Sequence, residues 1–325
     1  MPIAANGTCT VAVQTVSHFY PMLLNIISIL LTSRALQIQY RLREMFHPFF
    51  SLMLFVVLLS YNICNVFAIL TAILVMSGSP SSVSNIADGI YYFFYFYING
   101  MMFGCVVERL VATVLKRTYE YNRQWWAVAL SQPFAIGIAT VNFFLNGAVS
   151  RAVVIIALYT LNILCLVVLL FVNYRITTVL TGSGASLSTR YQITENIRTI
   201  RVLLPTALCD ALVSVVDVTG ALLFNLMHYF QQERCTEDHY IAVFYGFTSA
   251  SAVFEFLVPL SLLLSHPAYR RHSLLMYERQ SMRIQHNVVK DKTLPKVINV
   301  LGIEIANPGE QAYFENLSRV WNLRL

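Results

Sequence analysis

Seven apolar runs divide this chain, and each is long enough to cross a lipid bilayer as an α-helix, which takes ~20 residues. Only 12% of the residues are charged, whereas soluble domains contain about a quarter. The sequence therefore predicts an all-α membrane protein, a bundle of seven transmembrane helices. A merger of the fourth and fifth runs across the short gap at Asn146-Gly147 would reduce the count to six. The runs cover residues 11–33, 48–77, 90–115, 126–147, 152–174, 202–230 and 240–265.

Basic residues are distributed unevenly between the connections, and this predicts the orientation. Of the 22 Lys and Arg residues, only Arg151 and Arg234 fall in the connections after the even-numbered runs, and Arg109 lies inside a run. Because Lys and Arg collect in cytoplasmic loops, we expect an extracellular N-terminus, residues 1–10, and a cytosolic tail, residues 266–325. The sequon at Asn6 would then lie on the side where glycosylation occurs.

The third run carries an adjacent pair of opposite charges, Glu108 and Arg109, near its C-terminal end. A charged side chain inside a membrane segment is costly, so it marks a functional site by default. Glu108 could hold Arg109 in a resting state until a helix movement offers the arginine to a cytosolic protein. The alternative is that Arg109 simply extends to the lipid headgroups beside Lys116.

Aromatic and acidic residues within the runs are candidates for a ligand pocket. Helical spacing from Arg109 places Tyr91 and Tyr95 on the interior face of the third helix, with Asn99 as a further candidate. Asp217 shares a helix face with Asp210, seven residues earlier, and Glu255 interrupts the seventh run. These acids could bind a cationic ligand or an ion, or relay protons. Alternatively, they are packing groups that form hydrogen bonds with asparagines of other runs.

Two segments beyond the runs have helical features. The segment that starts at Ser188 has a capping box, Thr189 with Gln192, which predicts that the sixth helix projects into the cytosol. Residues 267–285 mix arginines with Leu and Met, which is typical of an amphipathic helix on the inner leaflet. A solvated basic tail is the alternative for that segment.

Enzyme motifs are missing from the sequence. It contains no GxSxG, HExxH or P-loop pattern, and its six cysteines lack metal-site spacing. We therefore expect no enzymatic activity, no metal and no cofactor. The excess of basic residues is explained by membrane topology, so no nucleic-acid partner is expected.

Two motifs in the sequence resemble those of nematode serpentine chemoreceptors. ERLVATVLKRTYE at residues 108–120 is similar to the ER, AT and YE signature of these receptors, and LSTRYQITEN at 187–196 is similar to their LSxRYQxxEN pattern. His266-Pro267 resembles their tail junction. The likeness covers about residues 20–285 and indicates the Sra superfamily, most like class e (Sre), with the alpha/beta class (Srab) a near neighbour.

This resemblance implies a GPCR-like bundle that detects a small external molecule and signals to a heterotrimeric G protein. It also implies a location in the plasma or ciliary membrane of sensory neurons. Leu110 stands where rhodopsin-like receptors carry Tyr, and the 147–151 connection lacks the cysteine of their usual disulfide. A Cys9–Cys235 bridge could take its place, and a dimer is compatible with the sequence. The residues assigned to coupling and activation are Glu108, Arg109, Lys116, Arg117, Tyr119, Glu120, Arg190, Tyr191, Glu195 and Asn196.

Two other classes of membrane protein stay open at this point. An ion channel or transporter could use Asp210, Asp217 and Glu255 as an ion path, although no internal repeat of the transporter kind is visible. A structural or trafficking membrane protein is the third class.

Overall fold

Seven long α-helices make up the computed structural model, which describes residues 11–43, 47–115, 125–145, 147–181, 187–265 and 269–270. All of these residues belong to one compact unit, and no strand occurs among them. This confirms the predicted all-α architecture with seven helices. The helices are α1 (Val11–Arg41), α2 (Pro48–Met76), α3 (Ser81–Val114), α4 (Trp125–Phe144), α5 (Ala148–Thr181), α6 (Leu187–Phe224) and α7 (Tyr240–Ser265).

Several helices extend beyond the apolar runs. Helix α3 begins at Ser81, directly after Pro80, so most of the polar segment expected to be a loop is helical. Helix α6 begins at Leu187, close to the start that the capping box indicates, and ends at Phe224, before the apolar run does. Asn225 has a φ of 50°, a left-handed conformation that stops the helix. Helices α4 and α5 are separate, because Gly147 turns the chain with a φ of 103° that suits glycine.

Helix α3 lies at the centre of the bundle. It packs against α2, α4, α5 and α6, whereas α1 packs against α2 and α7, and α6 packs between α5 and α7. The core along α3 includes Met101, Met102 and Cys105, each almost fully buried. Of these, Met102 and Cys105 belong to the interior face that the helical spacing from Arg109 predicts, whereas Met101 does not.

The bundle has the polarity of a membrane protein, with apolar side chains outside and many polar ones inside. Leu30, Val114 and Val179 are each more than 60% exposed, whereas Asn65, Asn162 and Asn173 are buried. Across the described residues, six helices are long and apolar enough to cross a membrane. These are α1, α2, α3, α5, α6 and α7.

The two ends of the bundle differ in their connections. The connections α2–α3, α4–α5 and α6–α7 lie at one end, which we call the cavity end, and the others lie at the Arg109 end. The α6–α7 connection contains a short 3-10 helix, Gln232–Arg234. Arg234 donates hydrogen bonds to the carbonyls of Phe224 and Asn225, at 3.0 and 2.8 Å, and so caps α6.

Candidate functional site

A cavity of about 590 Å³ opens in the half of the bundle near the cavity end. Its size lies within the range of small-molecule sites. Four of the five residues predicted for the ligand pocket line it, namely Tyr91, Tyr95, Asp217 and Glu255. The fifth, Asn99, is buried in α3 one helical turn beyond Tyr95 and is not among the lining residues.

Two tyrosines of α3 form one wall of the cavity. The rings of Tyr91 and Tyr95 stack with their centroids 6.2 Å apart, as expected for side chains four residues apart on a helix. Towards the cavity end, Tyr91 also stacks on His228, at 4.0 Å between ring centroids. Towards the interior, the hydroxyl of Tyr95 donates a hydrogen bond to Ser214 Oγ in α6, at 3.1 Å.

Asp210 is held by two tyrosines from other helices. Tyr61 of α2 donates a hydrogen bond to Oδ1 of Asp210, and Tyr159 of α5 donates to Oδ2 at 2.7 Å. Both carboxylate oxygens therefore have a partner, so Asp210 links α2, α5 and α6. The sequence placed this acid among the candidates but gave no indication of its two tyrosine partners.

Asp217 and Glu255 contact neighbouring helices through small polar side chains. Ser251 of α7 donates to Oδ1 of Asp217 at 2.7 Å. Glu255 Oε1 accepts from Ser28 of α1 at 2.7 Å and from Asn65 of α2 at 2.6 Å. The expectation that intramembrane acids bond to asparagines is therefore met at Glu255.

The other end of α3 contains the buried ion pair. Glu108 and Arg109 form a salt bridge, and their side chains are only 2% and 3% exposed. Arg109 also donates to Oδ1 of Asn196 at 3.4 Å, and its guanidinium lies 4.9 Å from the centroid of the Phe50 ring. His47 Nδ1 is 3.9 Å from Glu108 Oε1. Arg109 is therefore packed inside the bundle rather than extended to the surface.

Three polar side chains next to this pair connect α3, α5 and α6, and we call them the polar clamp: Thr113, Asn173 and Asn196. Asn196 Nδ2 donates to Thr113 Oγ1 at 2.6 Å and to Asn173 Oδ1 at 3.2 Å. Asn173 Nδ2 donates to Thr113 Oγ1 at 3.0 Å. Asn196 was predicted as a switch residue, whereas Thr113 and Asn173 were missed. The one signal for Asn173 was an amide inside a mostly apolar run, a signal that Asn162 of the same run shares.

The remaining predicted switch and modification residues are described only in part. Glu195 is half-buried in α6, and Arg190 and Tyr191 lie in the same helix, with side chains outside the described set. Cys235 is bonded in a disulfide, whereas Cys64, Cys105, Cys165 and Cys209 are free. The bridge to Cys9 therefore stays a prediction, as does glycosylation of Asn6. The residues outside the described part are Asn6, Cys9, Lys116, Arg117, Tyr119 and Glu120.

A second set of polar residues lies around the opening of the cavity and was not predicted. His228 Nδ1 is 3.5 Å from Asp88 Oδ1, and burial lowers the pKa of His228 from 6.5 to about 3. The imidazole is therefore neutral near pH 7, and its contact with Asp88 is not an ion pair. Further out, the hydrogen bond from Arg234 lowers the pKa of the exposed Glu237.

Comparisons with known proteins support the resemblance seen in the motifs. The family model described as Sre G protein-coupled chemoreceptor matches residues 84–322. This match includes α3 to α7, and therefore both the wall of the cavity and the buried ion pair. No curated protein matches the chain significantly.

Proposed function

The chain belongs to the Sre G protein-coupled chemoreceptor family, and from this premise we propose that it detects a small external molecule in the cavity and signals to a heterotrimeric G protein at the Arg109 end. The observation that carries the proposal is that one helix, α3, contributes to both sites. Tyr91 and Arg109 are eighteen residues apart, which corresponds to roughly 27 Å along a helix. That distance is close to the hydrocarbon thickness of a bilayer.

Helix α6 gives the two sites a physical connection. Asp217 lines the cavity, and Asn196 of the same helix belongs to the polar clamp. A ligand that bonds to Asp217 acts on this helix, whose other part is held both by the polar clamp and by buried apolar side chains such as Ile197. Such a ligand must bind the active arrangement more tightly than the resting one, since otherwise no population shifts. In the active arrangement, α6 moves away from α3 and Arg109 becomes available to the G protein.

Charge supports the orientation in which the cavity faces outward. The order of the helices assigns five arginines to the Arg109 end of the bundle: Arg34, Arg41, Arg43, Arg175 and Arg201. Because basic residues collect on the cytoplasmic side, we place the N-terminus outside and the C-terminus in the cytosol. The membrane proposed is the plasma or ciliary membrane of sensory neurons, as the family resemblance implies.

The proposed coupling surface combines described and undescribed residues. Glu108, Arg109 and Asn196 form its buried part, and the connection before α4 together with the first turns of α6 provides the remainder. We assign Lys116, Arg117, Tyr119, Glu120, Arg190, Tyr191 and Glu195 to that remainder.

The position of the acids favours a receptor over a channel or transporter. Asp210, Asp217 and Glu255 all line the cavity. Between the cavity and the ion pair, the described core contains almost fully buried apolar side chains, such as Met102 of α3 and Leu203 of α6, beside the buried polar Asn99. An ion path would need polar groups through the whole of this layer.

The test is a reporter for heterotrimeric G-protein activation in cells that express the chain, screened with pooled volatile and water-soluble odorants. The key variant is Arg109→Ala, and the matched control is Arg175→Ala, because Arg175 is an exposed arginine that lies over Phe171, at 5.3 Å. We expect a response in the wild type and the control, and its loss in Arg109→Ala at normal surface expression. A full response in Arg109→Ala would refute the coupling role of this residue.

A further inference from the structure

The cavity is rich in carboxyl groups and poor in cations. Asp88, Asp210, Asp217 and Glu255 line it, and the basic side chains among its lining residues are Arg151 and the neutral His228. Within the described part of the chain, no ion pair involves Asp210, Asp217 or Glu255. A buried carboxylate is costly without a cation nearby. The positive charge that these acids lack is therefore something that a ligand can supply.

We propose that the ligand of this receptor is a small organic ammonium ion. Its charge is bound between Asp217 and Glu255, and its body packs on Tyr91 and Tyr95. This inference rests on the proposed function, because it names the chemical class that the cavity detects.

The hydrogen-bond partners distinguish the anchoring acids from the structural one. Asp210 receives a tyrosine hydroxyl on each oxygen, so its hydrogen bonds already fix it in the bundle. The hydrogen bonds described for Glu255 both reach Oε1, and Ser251 reaches Oδ1 of Asp217, whose carboxyl also interacts with the hydroxyl of Tyr95. Asp217 and Glu255 are therefore the acids with acceptor capacity to offer a ligand.

Asp217 and Glu255 are also close to each other. Ser251 bonds to Asp217 and lies one helical turn before Glu255 in α7. Residues four apart on a helix have Cβ atoms ~5–6 Å apart, so the two carboxyl groups face one region of the cavity. Two neighbouring carboxylates repel each other, and an ammonium ion between them removes this repulsion by donating a hydrogen bond to each.

The tyrosine wall and the cavity size favour an organic cation over a bare metal ion. Aromatic rings attract ammonium groups, and the rings of Tyr91 and Tyr95 both line the cavity, Tyr95 at the end of the stack that Tyr91 forms with His228. A cavity of about 590 Å³ is far larger than a single inorganic ion needs, but it suits a small organic molecule.

A second, independent group indicates that the cavity is built for a ligand with two polar ends. Both ring nitrogens of His228 are buried without a hydrogen bond in the described structure, although Nδ1 lies 3.5 Å from Asp88 Oδ1, and this residue lines the cavity beyond Tyr91. A buried polar atom without a partner is costly, so a bound molecule that reaches it gains a hydrogen bond. The neutral imidazole can donate to or accept from a hydroxyl or carbonyl group of the ligand.

The test measures binding directly on the purified full-length receptor in detergent, by the increase in its thermal unfolding midpoint. The probes are a panel of primary, secondary and quaternary arylalkyl ammonium ions, with phenethylammonium as the reference. Each is paired with the alcohol and the carboxylate of the same size, and sodium chloride is tested alone. We expect ammonium ions alone to raise the midpoint. In Asp217→Asn and Glu255→Gln, the apparent affinity for the ammonium ion should be at least about tenfold lower. The matched control is Glu237→Gln, which changes an exposed acid in the α6–α7 connection.

The outcomes separate this inference from the proposed function. Equal stabilisation by ammonium ions and their alcohols, or stabilisation that survives in both acid variants, would overturn the inference. Stabilisation by sodium alone that both variants abolish would also overturn it, because the site would then hold an inorganic cation. The comparison of ammonium ions with alcohols uses the wild type, so it stands even where a variant fails to fold. Ammonium binding without G-protein activation would support the inference and contradict the proposed function. Activation by odorants without ammonium binding would support the proposed function and contradict the inference.

Discussion

Asn196 of α6 donates a hydrogen bond to Thr113 of α3 at 2.6 Å, and this contact joins the two helices at the Arg109 end. The same amide group donates to Asn173 of α5 at 3.2 Å, and its oxygen accepts from Arg109 at 3.4 Å. Thr113 in turn donates to the carbonyl of Arg109 at 2.9 Å. An outward movement of α6 must break the contacts that Asn196 makes, so this residue opposes the proposed activation.

We expect Asn196→Leu to raise the basal activity of the receptor. The substitution removes hydrogen bonds worth about 1 kcal/mol each, which shifts a two-state equilibrium by roughly fivefold per bond. The measurement is the G-protein reporter without ligand, normalised to surface expression. Asn142→Leu is the control, because Asn142 is a buried asparagine whose described hydrogen bond stays within α4. Unchanged basal activity in Asn196→Leu at normal expression would contradict the role of the polar clamp.

Gly100 allows α3 and α4 to approach each other closely, which predicts that Gly100→Ala is destabilising. A Cβ at this position would lie 2.7 Å from the Cα of Ala135 in α4, and backbone cannot move aside as a flexible side chain can. We expect a loss of about 1–3 kcal/mol, seen as a lower thermal unfolding midpoint in detergent.

Gly137 provides the matched control for this substitution. A Cβ there meets nothing within 4 Å, so Gly137→Ala should stabilise the helix by about 0.5–1 kcal/mol. Opposite signs for the two variants would establish that packing decides the effect. Equal stabilisation of both would show that α3 and α4 are less closely packed than the structure has them.

Part of the candidate site could be predicted from sequence because one helix has a simple periodicity. Tyr91 and Tyr95 follow from Arg109 by helical spacing, and both line the cavity. Asn99, which was added as a further candidate and not selected by this spacing, is buried but outside the lining. Helical spacing identifies the face of the helix on which a residue lies, but not how far into the bundle a cavity extends. That depth is set by the side chains of the neighbouring helices.

Contacts between distant helices could not be predicted in this way. Tyr61 and Tyr159 meet at Asp210 from α2 and α5, and nothing in the local sequence of either tyrosine specifies that partner.

The start of α3 was missed for a different reason. An apolar run marks only the part of a helix that lies in lipid. Helix α3 begins earlier than its apolar run, in a polar segment that starts directly after Pro80.

The hydrogen bond from Tyr159 to Asp210 should contribute measurably to stability. Tyr159→Phe keeps the ring but removes the hydroxyl that donates to Oδ2 at 2.7 Å. Hydrogen bonds to charged groups contribute about 1.5–3 kcal/mol, so the thermal unfolding midpoint in detergent should fall by several degrees. Tyr40→Phe is the control, because Tyr40 is 59% exposed. Equal midpoints for the two variants would mean that Tyr61 alone is sufficient to hold Asp210.

The stability of the cavity end should fall in mild acid because of His228. Its pKa is about 3 in the folded protein, lowered by burial from an ordinary value of 6.5. Below pH 6.5 the unfolded chain therefore binds a proton that the folded protein does not, and the free energy of unfolding decreases by about 1.4 kcal/mol per pH unit. The effect is absent above pH 6.5 and grows until the pH approaches 3.

The measurement compares thermal unfolding at pH 7.5 and 5.5 for the wild type and His228→Phe, a variant that keeps a ring to stack on Tyr91. We expect the wild type to lose about 1.4 kcal/mol more than the variant, because one pH unit of this range lies below 6.5. Asp88→Asn is the companion variant, since Asp88 Oδ1 lies 3.5 Å from the imidazole. A wild type that becomes more stable in acid, with the gain abolished in both Asp88→Asn and His228→Phe, would show instead that His228 is protonated and paired with Asp88.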